Sequence, residues 1–81
     1  MKLTVQYYSR LRDLTSADEE QLEVEPDLDV QGLLGQLYRR HAALGAWNAH
    51  LLIAVDVEYV GRGHLLKDGD VISIMPPAQG G

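Results

Sequence analysis

The sequence contains no cysteine among its 81 residues. This absence excludes disulfide bonds, thiolate metal sites and a cysteine nucleophile, and with them the class of small secreted proteins that disulfides stabilise. Long apolar runs are also missing. None approaches the roughly 20 residues of a membrane-spanning helix, and no charged-then-apolar leader precedes the first predicted strand. We therefore expect neither a membrane span nor a signal peptide, and we expect a cytoplasmic location.

Basic residues are scarce. Seven lysines and arginines face twelve acidic residues, which gives a net charge of −5. Nucleic acids and anionic membranes attract proteins of the opposite charge, so neither is an expected partner. The same balance predicts that a partner covering much of this surface is basic.

The length allows a single domain. A hydrophobic fraction of 46% is normal for a globular chain and too high for intrinsic disorder. The same length leaves no room for a second, regulatory domain. A core of this size leaves a net stability of only a few kcal/mol.

Two short strands are predicted near the beginning of the chain. Residues 3–7 alternate between apolar and polar side chains, which is the period of a strand with one buried face. Residues 15–20 are polar and turn-like. Leu22 and Val24 flank Glu23 and indicate a second strand, which we expect to pair antiparallel with the first.

One main helix follows. The Asp29 carboxylate is placed to cap its first turn, and Arg39 and Arg40 suit the dipole at its last turn. Gly32 and Gly35 are poor helix formers, and the sequence does not decide whether they permit close packing or are tolerated defects. The apolar positions have helical spacing: Val30, Leu33, Leu34, Leu37, Tyr38 and then His41.

The remaining pattern is that of strands and turns. Residues 51–55 form an apolar run, and 56–58 form a turn into a short strand at 59–60. Asp68-Gly69 marks a tight turn before the last strand, 71–75, which two prolines end. The order strand, strand, helix, strand, short strand, strand predicts an α+β domain with a mixed sheet and one helix on one face.

The chain ends in a segment that cannot continue a sheet. Pro76 and Pro77 are followed by Ala78, Gln79, Gly80 and Gly81. We divide the chain into a domain at 1–77 and a flexible Gly-Gly tail at 78–81. A tail without bulky side chains suits threading into a narrow channel of another protein, with its carboxylate leading. Small, frayed C-termini are also common, and composition alone leaves both interpretations open.

No other group of residues points to chemistry. The three histidines, His41, His50 and His64, lack metal-ligand spacing, so no metal site is expected. The acidic stretch from Asp18 to Glu25 is interpreted as a solvated face. No serine lies in a nucleophile motif, so we expect no catalytic activity from the chain alone.

Four segments together resemble the molybdopterin synthase small subunit (MoaD) family. They are Tyr8–Asp13, Asp29–Leu34, the hairpin Leu52–Val60, and Leu66 to Gly81 with its order Asp-Gly-Asp, strand, Pro-Pro, Gly-Gly. Asp56 stands where that family often has Asn, and Tyr8 and Ser9 replace a more usual Phe and Ala. The resemblance spans essentially the whole chain.

The resemblance implies a ubiquitin-like β-grasp fold and a sulfur carrier for molybdenum cofactor biosynthesis. In that family an ATP-dependent adenylating enzyme activates the terminal carboxylate, here that of Gly81, which then becomes a thiocarboxylate. The tail enters the large subunit of the synthase and donates sulfur to a cyclic pyranopterin precursor. The expected partners are that large subunit and the adenylating enzyme. The chain is expected to bind no cofactor itself, because ATP is used by the activating partner.

Specific residues are expected to perform these roles. Besides Gly81 at the reacting end, the residues expected to thread the channel are Gly80, Gln79, Pro77 and Pro76. The expected partner contacts near the tail are apolar (Leu65, Ile74 and Met75) and polar (Arg10 and Arg12). Ordinary core packing for the aliphatic side chains and solvent exposure for the arginines remain the alternatives.

Two other functions stay open. The chain is also compatible with a related sulfur carrier for cysteine or thiamine synthesis, although thiamine carriers are usually shorter and lack the Arg-Leu-Arg segment of residues 10–12. The other is a ubiquitin-like interaction module without sulfur chemistry.

Overall fold

The structure is a computed structural model that describes residues 1–77. Its elements in chain order are β1 Lys2–Tyr7, α1 Leu11–Thr15, β2 Glu19–Glu23, α2 Val30–Arg40, α3 Ala42–Gly45, a 3₁₀ turn Asn48–His50, β3 Leu52–Val55, β4 Glu58–Tyr59 and β5 Val71–Met75. The four residues of the predicted tail, 78–81, lie outside the described residues.

The strands form one five-stranded mixed sheet in the order β2-β1-β5-β3-β4. β1 pairs antiparallel with β2 and parallel with β5, and β3 pairs antiparallel with both β4 and β5. The last strand is therefore the central one. The predicted α+β architecture, a mixed sheet with one main helix, is confirmed.

The core lies between the sheet and α2. Alternate residues of β1, β3 and β5 point toward the helix, as the period of two predicts, and the buried stripe of α2 covers them. The fully buried side chains of highest volume are Leu3, Leu11, Leu33, Leu34, Leu37, Leu44, Ile72, Ile74, Val5 and Val30.

Both ends of α2 have their backbone groups satisfied. The Asp29 carboxylate accepts from the Gly32 N–H at 2.8 Å, which confirms the predicted cap. The carbonyls of Arg62 and His64 accept from the next two free N–H groups, those of Gln31 and Val30, at 2.9 and 3.0 Å. The loop at 61–64, which has no repeating pattern, thus completes the first turn of the helix.

The two predicted turns are present. Asp56 begins the β3–β4 turn at φ +56°, a conformation that aspartate tolerates better than most residues. Gly69 has φ +87°, which favours glycine. In the same turn the Asp70 carboxylate accepts from the Lys67 N–H at 2.8 Å, so Asp70 acts as a turn former.

Strand β2 and helix α1 differ from the predictions. Strand β2 begins at Glu19, inside a stretch interpreted as a turn, because its inward residues alternate as Glu20 and Leu22. The short helix α1 was not predicted, since five residues are too few for a helical period to stand out. Within residues 1–77, no helix is long and apolar enough to cross a membrane.

Candidate docking surface at the root of the tail

The described chain leaves the sheet at one defined end, just before the residues of the predicted tail. β1 and β5 run in parallel, with Tyr7 opposite Ile74, and both strands finish at this end. Pro76 and Pro77 follow immediately. We call this the tail end, and the end where β1 and β5 begin is the opposite end. Residues that flank the root of the tail must therefore come from the last residues of β1, the start of β3, and the segments attached to them.

The structure separates two neighbouring residues that we expected to contact a partner. Ile74 has no exposed surface and packs in the core beneath α2, so its side chain is unavailable and that prediction is corrected. Met75 follows it on β5 and points to the outer face of the sheet, where it is partly exposed. Period-two alternation is the reason that only one of the two side chains reaches the surface.

An apolar surface surrounds Met75 on the outer face. Leu52 lies directly opposite it on β3 and is 39% exposed. Tyr8 follows β1 beside β5, donates its backbone N–H to the Ile74 carbonyl at 3.2 Å, and is 44% exposed. Tyr59 pairs with Ala54 on the same face and is 73% exposed. We call Tyr8, Leu52, Tyr59 and Met75 the apolar sheet patch.

Leu65 does not belong to this patch. It is exposed, as predicted, but it forms an isolated bridge with Asp29 at the beginning of α2. Its neighbour Leu66 donates its N–H to the Leu28 carbonyl at 2.9 Å, which fixes the segment near the opposite end. The expectation that Leu65 lies near the tail is therefore corrected, because the crossing between β4 and β5 passes the start of the helix first.

The two predicted arginines lie at the tail end and are exposed. The Arg10 guanidinium carbon lies 5.7 Å from the centroid of the Trp47 ring, within the range of a cation–π contact. Arg12 donates from Nε to the Ser9 carbonyl at 3.3 Å. Ser9 has φ +58°, so a left-handed residue turns the chain from β1 into α1 and presents both arginines beside the root of the tail.

A second polar group at the tail end faces the helix and was missed. Glu20 points inward from β2, and its side chain is 12% exposed. It accepts from the Tyr7 hydroxyl at 2.7 Å and from Arg40 at 2.9 Å, and it contacts Nε2 of His41 at 2.5 Å. The interpretation of the whole acidic stretch as solvated is therefore wrong at Glu20. We call Tyr7, Glu20, Arg40 and His41 the Glu20 cluster.

The cluster shifts two pKa values. Burial raises the pKa of the Glu20 carboxyl, but the hydrogen bonds from Tyr7, His41 and Arg40 outweigh it and hold that pKa below its usual value. Burial, followed by the hydrogen bond to Glu20, raises the pKa of the Tyr7 hydroxyl far above its usual value. Tyr7 therefore remains a neutral donor and Glu20 a charged acceptor. This is a structural network joining β1, β2 and the end of α2.

Within 1–77 no three histidine or acidic side chains are placed to hold a metal ion. Asp68 and Asp70 flank Gly69, and their carboxylates accept hydrogen bonds from the backbone N–H groups of Lys2 and Lys67 in a turn. The geometry offers an apolar patch on the outer face of the sheet, together with the exposed Arg10 and Arg12, around the point where β5 ends.

Three residues of the patch were not expected there: Tyr8, Leu52 and Tyr59. A signal for them was present in the sequence. If β3 and β5 are antiparallel neighbours and Ile53 is buried, then Leu52 faces away from the helix together with Met75. The sequence alone did not show which strand pairs with β3, because that pairing depends on contacts between residues that are distant along the chain.

Comparison with known proteins agrees with this architecture. The ThiS family matches residues 5–81. A protein of Chlamydomonas reinhardtii named molybdopterin synthase sulfur carrier subunit is 31% identical over 83 residues, covering 100% of both chains. The structure of a Pyrococcus furiosus protein described as a putative molybdopterin converting factor, subunit 1, superimposes with a TM-score of 0.88 at 32% identity, covering 96% of this chain and 99% of that one.

A further structure has the same fold in an assembly. It is the complex of subunits 1 and 2 of the molybdopterin-converting factor from Helicobacter pylori, whose matching chain superimposes with a TM-score of 0.72 at 24% identity and full coverage of both chains. The resemblance to molybdopterin synthase small subunits is thus confirmed, as is the β-grasp fold that it implied. This chain belongs to the ThiS family.

Proposed function

We propose that this protein is the sulfur carrier subunit of a molybdopterin synthase. The observation that carries the proposal is the match, from end to end, with a relative of that name. The position of the last described residues supports it. The central strand β5 leads straight into two prolines and then into a sequence ending in Gly80-Gly81, and an exposed apolar surface lies at that same end.

The chemistry proposed for Gly81 needs no side chain of this protein. A carboxylate oxygen attacks the α-phosphate of ATP in the activating enzyme and releases pyrophosphate. A hydrosulfide-level sulfur nucleophile then attacks the carbonyl carbon of the acyl-adenylate, and AMP leaves with the bonding electrons. The resulting thiocarboxylate sulfur attacks an electrophilic carbon of the pterin precursor, and an oxygen substituent leaves that carbon with the bonding electrons. Water then attacks the carbonyl carbon of the thioester that joins carrier and pterin, which breaks the bond from that carbon to sulfur, leaves the sulfur on the pterin and restores the carboxylate. Adenylation is required because a free carboxylate is a poor electrophile.

The fold contributes positioning. Fully extended, the four residues after Pro77 span at most about 14 Å, so the reacting atoms reach deep into a partner while the domain stays outside. Pro76 and Pro77 restrict the backbone at the root and reduce the entropy lost on threading. Gly80 and Gly81 have no Cβ atoms to collide with channel walls. We place this reaction in the cytoplasm, where ATP and the adenylating enzyme are expected.

A reconstituted transfer reaction tests the proposal. The full chain is incubated with ATP, its adenylating enzyme and a sulfur donor, and is then mixed with the large subunit and the cyclic pyranopterin precursor. We expect a dithiolene product that requires every component.

The same reaction distinguishes the alternatives. Sulfur loading without dithiolene, together with sulfur transfer to an activated serine derivative in a cysteine-forming system, would favour a carrier for cysteine synthesis. If no sulfur leaves the chain toward any acceptor, the chain is an interaction module and the proposal is wrong.

A further inference from the structure

Arg10 is held in an unusual way for an exposed arginine. Its guanidinium lies over Trp47, while the guanidiniums of Arg12, Arg40 and Arg62 donate hydrogen bonds to oxygen atoms of this chain. Within residues 1–77, Arg10 donates no hydrogen bond and forms no salt bridge. The aromatic ring therefore restricts the side chain, and its fork of N–H donors remains available to an acceptor.

Arg10 also lies beside the root of the tail. The Tyr8 N–H donates to the Ile74 carbonyl at 3.2 Å, which is the last bond between this part of the chain and β5. Arg10 follows Tyr8 by two residues, just as Pro76 follows Ile74 by two. Trp47 packs partly against the core, so Arg10 lies on the helix side of the root and the apolar sheet patch on its outer side. A channel that encloses the tail must meet both.

The charges of the molecule are divided unequally between its two ends. At the tail end four arginines balance four acidic residues. The net negative charge therefore belongs to the opposite end, which carries eight of the twelve acidic residues: Glu23, Glu25, Asp27, Asp29, Asp56, Glu58, Asp68 and Asp70. The total charge predicted basic partners, but the surface around the tail is not acidic.

The Glu20 cluster strengthens this difference locally. Glu20, which could neutralise the arginines at the tail end, is turned inward and bound by Arg40, Tyr7 and His41. Its charge is thus paired inside the domain. What remains beside the root is Arg10 and Arg12, with Asp13 and Asp18 on the α1 side.

We propose that Arg10, fixed on Trp47, binds a carboxylate on the rim of the channel in the large subunit, so that this rim is acidic where it meets the helix side of the tail. The inference rests on the proposed function. A protein carboxylate is favoured over a nucleotide or substrate phosphate because of distance. Up to about 14 Å of tail separates the root from the reacting end, so Arg10 stays at the mouth while phosphates are bound deeper. A guanidinium binds a carboxylate through two parallel hydrogen bonds.

Binding kinetics with the cognate large subunit test this inference. Arg10→Glu is compared with Arg39→Glu, which makes the same charge change at another exposed arginine of the tail end. We expect the Arg10 variant to bind at least tenfold more weakly than the Arg39 variant at about 0.15 M salt, with part of the loss in the association rate. Arg10→Met keeps an unbranched side chain beside Trp47 and removes the charge, and it should also weaken binding.

Three results would overturn the inference: equal losses for the two charge reversals, unchanged binding by Arg10→Met, or a change of a rim carboxylate to lysine that never rescues Arg10→Glu. Circular dichroism melting identifies a folding defect, which Arg10→Met is expected to avoid. Sulfur loading of Gly81, measured on the same variants by mass, keeps the two proposals apart. If Gly81 is loaded with sulfur but the substitutions of Arg10 do not change the affinity for the large subunit, only this inference is contradicted. If the wild-type chain is not loaded, the proposed function is contradicted.

Discussion

At the scale of single residues, Glu20 shows how one buried carboxylate organises a corner of the domain. Tyr7 comes from β1, and Arg40 and His41 come from the end of α2, yet all three converge on it. The His41 ring also packs edge-on against Tyr7, with 5.9 Å between the centroids. A paired, hydrogen-bonded charge of this kind is costly to disrupt because its partners are left without an acceptor.

Glu20→Gln is therefore expected to lower the free energy of unfolding by about 1–3 kcal/mol at neutral pH. The pKa of Glu20 is lowered by folding, so its contribution is fully present above the unfolded pKa of about 4.3 and is lost as the pH falls through the lower folded pKa. Urea unfolding at several pH values should show a shallower acid decline for this variant.

Glu19→Gln is the matched control, since Glu19 is exposed and, among residues 1–77, its carboxylate accepts only from the Gln6 side chain, at 3.1 Å. If both variants lose the same stability, or if Glu20→Gln leaves the acid decline unchanged, the role given to the Glu20 cluster is wrong.

Sequence patterns predicted single residues well wherever the cause was local. The Asp29 cap and the glycine of the Asp-Gly turn are local, and both were found. The position of Glu20 could not be predicted, because its partners are 13 to 21 residues away. For Ile74 and Met75 the prediction was only partly possible. The alternation showed that the two side chains lie on opposite faces of the sheet, but which face is buried depends on where α2 packs.

At the scale of elements, the two glycines of α2 differ in whether the space around them would admit a side chain. A Cβ on Gly35 would meet only the end of the Arg39 side chain, at 3.9 Å, whereas one on Gly32 would lie 2.5 Å from Cδ1 of Leu28. Gly35 is therefore a tolerated defect, and Gly32 lies where the chain entering the helix packs closely.

Gly35→Ala is expected to stabilise the domain by about 0.5–1 kcal/mol, because alanine loses less backbone entropy in a helix. Gly32→Ala gains the same propensity but must displace Leu28, so it should be the less stable of the two variants. Thermal melting of both measures the difference. A higher melting temperature for Gly32→Ala than for Gly35→Ala would contradict the packing described here.

The β3–β4 hairpin carries part of the apolar sheet patch and offers a matched test of it. Tyr59→Ala should weaken binding to the large subunit about tenfold or more, as expected for an aromatic anchor in an interface. It should barely change the melting temperature, since the ring is 73% exposed.

Val57→Ala is the control for the hairpin, because Val57 is 93% exposed at the tip and outside the patch. Calorimetric titration that finds equal affinity for the two variants would show that the patch is not the docking surface.

At the scale of the whole molecule, the order of strands determines where the chain leaves the sheet. Placing the last strand in the middle of the sheet holds the root of the tail between the end of β1 and the start of β3. The order of the five strands and the main helix along the chain could be predicted, and so could the fold class. The order of the strands in the sheet could not be predicted, and neither could the unequal charge of the two ends of the molecule, because both depend on pairings between distant segments.

The proposed function requires a protein without cysteine to take part in sulfur chemistry. Under that proposal the domain presents a docking surface, the terminal carboxylate of Gly81 reacts, and a partner supplies the walls of the active site. The proposed function therefore depends on one atom exchange at the last residue.

The most direct measurement is the intact mass of the full chain before and after incubation with ATP, its adenylating enzyme and a sulfur donor. The proposed function predicts the replacement of one oxygen by one sulfur, located at Gly81 by fragmentation, absent without ATP and absent from a variant lacking Gly81. An unchanged mass, or equal sulfur incorporation in the variant lacking Gly81, would contradict the proposed function.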